Sequence, residues 1–89
     1  MRHAAPDVEL QVIARSPFHI YYEGVARCVS GANQVGPFDV LPGHADFFSI
    51  MTPGKVAIET KPDAEPVTFQ IRNGIITVRD NQVMLFANM

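Results

Sequence analysis

Apolar and polar residues alternate with a period of two along several short stretches of the chain. Val8, Leu10 and Val12 alternate with Glu9 and Gln11, and Val56 and Ile58 are flanked by Lys55 and Glu59. Val67, Phe69 and Ile71 alternate with Thr68, Gln70 and Arg72. Successive side chains of a strand point to opposite faces, so each run offers one apolar face, as a strand buried on one side does. Ile75–Val78 and Gln82–Phe86 are β-rich runs around Asp80-Asn81, which predicts a hairpin. A second turn is expected at Asn73-Gly74, and the polar stretch Lys61–Pro66 reads as an exposed loop.

Seven prolines and six glycines interrupt the chain so often that no stretch keeps helical apolar spacing for three turns. Strands at intervals of roughly eight to twelve residues, joined by turns, predict an all-β fold. The expected architecture is an antiparallel β-sandwich of about ten strands, or flattened barrel, with no substantial helix. At 89 residues the chain holds one domain, 1–89, with Met1–Pro6 expected to fray.

Composition narrows the functions. The chain is 47% hydrophobic with a net charge of -2, and its seven Lys and Arg are spread thinly. That leaves no basic stripe for nucleic acid and no polybasic patch for a membrane surface. The single Cys28 makes no internal disulfide and reads as a small core residue in a reducing compartment. No apolar run is long enough to span a bilayer, and the first residues lack a signal-peptide pattern.

Candidate chemistry is sparse. His3, His19, His44 and Cys28 are scattered without a ligand spacing, so no metal is expected. No serine or cysteine sits in a nucleophile motif, and the glycines form no phosphate cradle, so neither catalysis nor a cofactor is expected. Asp39 and Asp46 read as solvated turn acids, and Tyr21 and Tyr22 as residues on opposite faces of one strand.

One turn stands out. In Leu41-Pro42-Gly43-His44 the proline sets φ at the first corner and the glycine accepts the positive φ that a type II turn demands at the second. Phe38, Val40, Phe47, Phe48 and Ile50 crowd its flanks, which anchors it. His44 can either bond a neighbouring carbonyl and hold the loop or offer its ring to a partner.

Gly36-x-Phe38-x-Val40-Leu41-Pro42-Gly43-His44-Ala45 resembles the G-x-[FL]-x-[IV]-L-P-G-H-A segment of the epsilon subunit of F-type ATP synthases. Tyr22-Glu23-Gly24 upstream, Pro53-Gly54-x-Val56-x-Ile58 downstream, and Phe69 through Ala87 resemble further segments of that family, in order. The resemblance covers roughly Val8 to Ala87 and implies a non-catalytic sandwich at the foot of the central stalk. Its partners would be the gamma subunit and the c-ring, and it would couple proton- or sodium-driven rotation to ATP synthesis or hydrolysis. Interface residues would be Val35, Gly36, Pro37, Phe38, Val40, Leu41, Pro42, Gly43 and His44, on one end-loop, with Gly24, Gly54 and Gly74 at structural turns. The isolated chain would be monomeric. It would meet the membrane only through the complex, on the cytoplasmic face of a bacterial inner membrane.

Departures from the family pattern include Asp39 and Asp46, which put charge near the turn, and Arg72-Asn73-Gly74, where Asn73 would supply a left-handed corner. The chain stops at Met89, so the helical hairpin this family commonly adds, with its ATP binding and restraint of hydrolysis, is not expected. A stand-alone sandwich binding a small ligand or carbohydrate is the alternative, and it predicts a concave apolar pocket with converging polar groups.

Overall fold

The alternating runs become strands whose buried positions follow the period of two, seen most regularly in the pattern of β8 and β9. The computed structural model describes residues 9–88. Val8 and the fraying expected at Met1–Pro6 lie outside the described residues. Within them are nine strands and no helix: β1 Leu10–Arg15, β2 Ile20–Ala26, β3 Cys28–Asn33, β4 Gly36–Val40, β5 Phe47–Met51, β6 Gly54–Glu59, β7 Val67–Ile71, β8 Asn73–Arg79 and β9 Gln82–Asn88.

The strands form a five-stranded sheet, β2-β1-β9-β8-β5, and a four-stranded sheet, β4-β3-β6-β7. These are two open sheets packed as a sandwich rather than a closed barrel. One pairing departs from the antiparallel expectation: β1 runs parallel to β9, with Val12 opposite Val83 and Ala14 opposite Leu85. Alternation specifies which face is buried and carries no information about strand direction, so this pairing could not be read from the pattern.

The core lies between the sheets. Leu10, Val12, Ala14, Ile76, Val78, Val83, Leu85 and Ala87 of the larger sheet are buried, as are Val29, Val40, Val56, Ile58 and Ile71 of the smaller. No polar or charged residue is buried among the described residues, so no side chain of the core demands a hydrogen-bond partner. Two aromatic seams close the sides. Tyr21 stacks on Phe69, linking β2 to β7 with ring centroids 4.6 Å apart, and Phe38 meets Phe47 edge to face at 5.3 Å, linking β4 to β5.

Both tyrosines pack against the core, contrary to the expectation of opposite faces. The cause is a β-bulge: Ala14 pairs with Tyr22 but Arg15 pairs with Ile20, so Tyr21 is an extra residue and alternation breaks there. The Tyr21 hydroxyl then donates to the Ala87 carbonyl oxygen at 3.0 Å.

Two ends of the sandwich follow from the pairings. Thr52 donates its amide to Ala32 at 3.1 Å, which brings the β3–β4 turn to the end where β5 finishes. The Ser16–His19 connection between β1 and β2 lies at this same end, since β1 ends beside the finish of β9. The opposite end holds the Leu41–His44 turn and the Asp80-Asn81 turn, which touch each other.

Candidate functional site

The Leu41–His44 turn has the geometry its sequence demands. His44 donates its amide to the Leu41 carbonyl at 3.0 Å, and Gly43 has φ +85. Both are features of a type II turn with proline at the first corner. His44 is held from two sides: Nδ1 donates to the Ala45 carbonyl at 2.7 Å, and the ring meets Phe47 edge to face at 5.5 Å. A carbonyl only accepts, so this bond places the imidazole proton on Nδ1. Of the two roles open to His44, holding the loop is the one with a visible partner.

A second contact ties the turn to the rest of the molecule. The Gly43 amide donates to Asn81 Oδ1 at 2.7 Å. Asn81 and Asp80 both have positive φ, 63 and 51, and Arg79 pairs with Gln82 around them, as in a type I′ hairpin. The hairpin expected there is present.

The segment from Val35 to His44 is not one end-loop. It comprises the β3–β4 turn, the edge strand β4 and the Leu41–His44 turn, so Val35 and Leu41 sit at opposite ends of the sandwich. Residues of β4 rise about 3.3 Å each, so adjacency in sequence became separation in space once this stretch was a strand. Val35 is 97% exposed at its tip, where Asn33 Oδ1 accepts the Val35 amide at 2.9 Å. Gly36 opens β4 and Pro37 is exposed on it; β4 is an edge strand, where a missing N–H breaks no ladder. Phe38 packs against the core and Val40 is fully buried, so Val40 supports the turn from beneath and offers no surface. Leu41 is exposed, and Pro42 and His44 are half-buried.

Several turn assignments need correction. Gly24 lies inside β2, opposite Val12, with φ +150. Gly54 begins β6 after a bend at Pro53, with φ +155. Asn73-Gly74 is not a turn: both residues belong to β8, the bend falls at Arg72, and among the described residues the positive-φ ones other than glycine are Asp80 and Asn81. Gly74 is required for closeness instead. A Cβ there would lie 3.0 Å from Ala87 Cβ and 3.1 Å from the Phe86 carbonyl oxygen.

Asp39 is also not a turn acid. It lies on β4, where its carboxylate accepts the Ser30 hydroxyl at 2.6 Å across the strand pair. Asp46 is exposed between the turn and β5. Cys28 is half-buried rather than core: Val29 and Gly31 take the inward positions of β3, leaving Cys28 beside Ser30 with Sγ 3.6 Å from its hydroxyl. Burial pushes its thiol pKa up, the Asp39 and Glu59 charges add to the rise, and the Ser30 hydroxyl opposes it. No group of three or more potential metal ligands occurs among the described residues.

The surface that sequence reasoning missed is the outer face of the five-stranded sheet. Ile50 lies opposite Ile75, Ile75 opposite Phe86, and Phe86 opposite Arg15, so one row crosses four strands. The adjacent row runs Phe48, Thr77, Met84, Ile13. Ile50 is 69% exposed and Phe48 61%, while Ile75, Met84 and Phe86 are about half exposed. The signal was in the chain: Phe47-Phe48, Ile75-Ile76 and Met84-Leu85-Phe86 place apolar residues where alternation calls for polar ones. The outer face of the four-stranded sheet is different, carrying Ser30, Asp39, Lys55, Thr68 and Gln70. The hollow on the larger sheet's outer face brings Glu23 and Arg79 beside Ile13, Thr77 and Met84, and lies open to solvent on that same face.

Residues 9–89 match the family described as ATP synthase, Delta/Epsilon chain, beta-sandwich domain. The chain belongs to this family. ATP synthase epsilon chains of Nitratiruptor sp. and Desulforudis audaxviator are 31% and 32% identical to it over 84% and 82% of its length. That of Ruthia magnifica is 33% identical over 75%. These alignments cover 56%, 52% and 47% of the relatives, so the chain spans about half the length of the epsilon chains it matches. Solved structures share the fold. A chain in the central stalk and c-ring structure of Tetrahymena thermophila mitochondrial ATP synthase superimposes with TM-score 0.76 at 14% identity, covering 90% of this chain and 63% of that one. A chain in the Euglena gracilis mitochondrial enzyme gives TM-score 0.83 at 15% identity, over 97% and 54%. At these identities the likeness is one of fold.

Proposed function

We propose that this epsilon-family sandwich is a non-catalytic element of a rotary ATP synthase's central stalk, docked on the gamma subunit through the outer face of its five-stranded sheet. The observation that carries this reading is the contrast between the two outer faces: one bears the registered rows around Ile50–Ile75–Phe86 and Phe48–Met84, the other is polar. Exposed apolar residues gathered into one patch mark a protein-contact surface, whereas scattered ones do not. The Leu41–His44 turn rims this face at one end. At the other end the two turns that present Phe18 and Val35, each 97% exposed, would rest on the c-ring.

The domain's task on this reading is mechanical. It transmits rotation between ring and stalk for ATP synthesis or hydrolysis, and a sandwich whose core, among the described residues, is wholly apolar in its side chains resists deformation. It would sit on the cytoplasmic side of a bacterial inner membrane and reach the membrane only through the complex. A carbohydrate or small-ligand module is less well supported, because the hollow on the apolar face lies half open to solvent.

Titration of the chain with the purified gamma subunit of the same enzyme tests the reading. Ile50→Ser and Phe86→Ser should each weaken binding by about tenfold or more, as removal of a central apolar anchor does, while Thr68→Ala on the polar face should leave it unchanged. Absence of gamma binding by the unaltered chain would refute the proposal.

A further inference from the structure

The Asp80-Asn81 hairpin does more than reverse the chain. Asn81 makes two connections that leave the hairpin: its backbone carbonyl accepts the Gln11 amide of β1 at 2.8 Å, and its Oδ1 accepts the Gly43 amide at 2.7 Å. In the Leu41–His44 turn the closing bond uses the His44 amide, so the Gly43 amide has no partner within the turn. Apart from its two chain neighbours, no atom lies within 4 Å of where a Gly43 side chain would begin, so Gly43 is not packed in place on that side. Phe47 holds the turn at His44, and the Asn81 side chain holds it from the larger sheet at Gly43.

We propose that Asn81 is a positioning residue for the docking turn, registering Leu41 and Pro42 of the small-sheet side against the apolar face of the large sheet. This rests on the gamma-docking reading above. Asn81 suits the role because its short amide tolerates φ 63 while its side chain still projects an acceptor. Glycine at this position would keep the hairpin, since Asp-Gly is a favoured type I′ pair, but would have no acceptor to offer. Aspartate would keep both.

The test uses the full chain, isotopically labelled, as Asn81→Gly, Asn81→Asp and unaltered protein. Hydrogen exchange at the Gly43 amide reads the bond directly, and titration with purified gamma subunit reads the consequence. N81G should retain its thermal stability to within a few degrees, exchange the Gly43 amide faster, and bind gamma on the order of fivefold more weakly, the worth of about one hydrogen bond. N81D should restore slow Gly43 exchange and the unaltered affinity. If N81G frees the Gly43 amide and still binds gamma as tightly as the unaltered chain, Asn81 does not position the docking turn. If the unaltered chain does not bind gamma, the docking reading itself fails first, and the positioning role falls with it.

Discussion

Phe38 and Phe47 meet edge to face across the gap between the two sheets, and His44 meets Phe47 in the same manner. One aromatic stack thus joins β4, β5 and the turn between them. Phe38→Ala and Phe47→Ala should each cost about 1–3 kcal/mol, less than a fully buried phenylalanine because both rings are only half-buried. A double-mutant cycle by urea denaturation should give a coupling of about 0.5–1.5 kcal/mol, the range for paired aromatics. Strict additivity would show that the rings merely fill space independently.

The turn next to this stack makes a separate prediction. Gly43 has φ +85 and open space around a would-be Cβ, so the cost of a side chain there is conformational alone. Gly43→Val should destabilise the chain by about 1–2 kcal/mol. Pro42→Ala should cost only about 0.4–1 kcal/mol, by widening the unfolded ensemble. Its effect on gamma affinity should exceed its effect on stability, because a loosened turn remains folded but no longer preset. Denaturation midpoints for both variants, together with a gamma titration of Pro42→Ala, check the pair of statements.

The strands and both tight turns were legible because they rest on local chemistry. Period-two runs placed Leu10, Val12, Val56 and Ile58 in the core, and Pro42-Gly43 and Asp80-Asn81 carried their turn geometry in their residue types. What was not legible depended on the partner a strand finds. The parallel pairing of β1 with β9 joins residues about seventy positions apart, which no local pattern encodes. Gly74 looked like a turn glycine, yet it is needed because Ala87 of the neighbouring strand comes so close. The single end-loop expected from Val35 to His44 was not one for a similar reason: Gly36–Val40 forms a strand, so Val35 and Leu41 part company. The apolar outer face was visible as doubled apolar residues, but only pairing showed that Ile50, Ile75 and Phe86 align.

Two buried glycines with different neighbours provide a further test. A Cβ at Gly74 would press on the Phe86 carbonyl oxygen and on Ala87, parts of the β9 ladder that cannot yield without disturbing the sheet. At Gly31 the close neighbour is the terminal methyl of Met51, a flexible side chain that can swing aside. Gly74→Ala should therefore cost about 1–3 kcal/mol and Gly31→Ala less than about 1 kcal/mol. Neither has the positive φ that would add backbone strain. Thermal denaturation of the two variants side by side would reveal the order, and a reversed order would mean that the Met51 region is the more rigid.

Cys28 links structure to pH. Burial, with the nearby charges of Asp39 and Glu59, raises the thiol pKa above its ordinary value despite the Ser30 hydroxyl, so the folded chain holds this proton more tightly than the unfolded one. The stabilisation is complete below the unfolded thiol pKa and is lost as pH rises toward the folded value, since the unfolded state releases its proton first. Between about pH 8 and 9.5, where an unperturbed thiol ionises, stability should fall with pH. Cys28→Ser should remove that slope and leave the lower-pH stability nearly unchanged. Iodoacetamide should accordingly modify folded Cys28 more slowly at pH 8.5 than it does in urea-unfolded chain, and equal rates in the two states would show that the thiol is not held protonated by its surroundings.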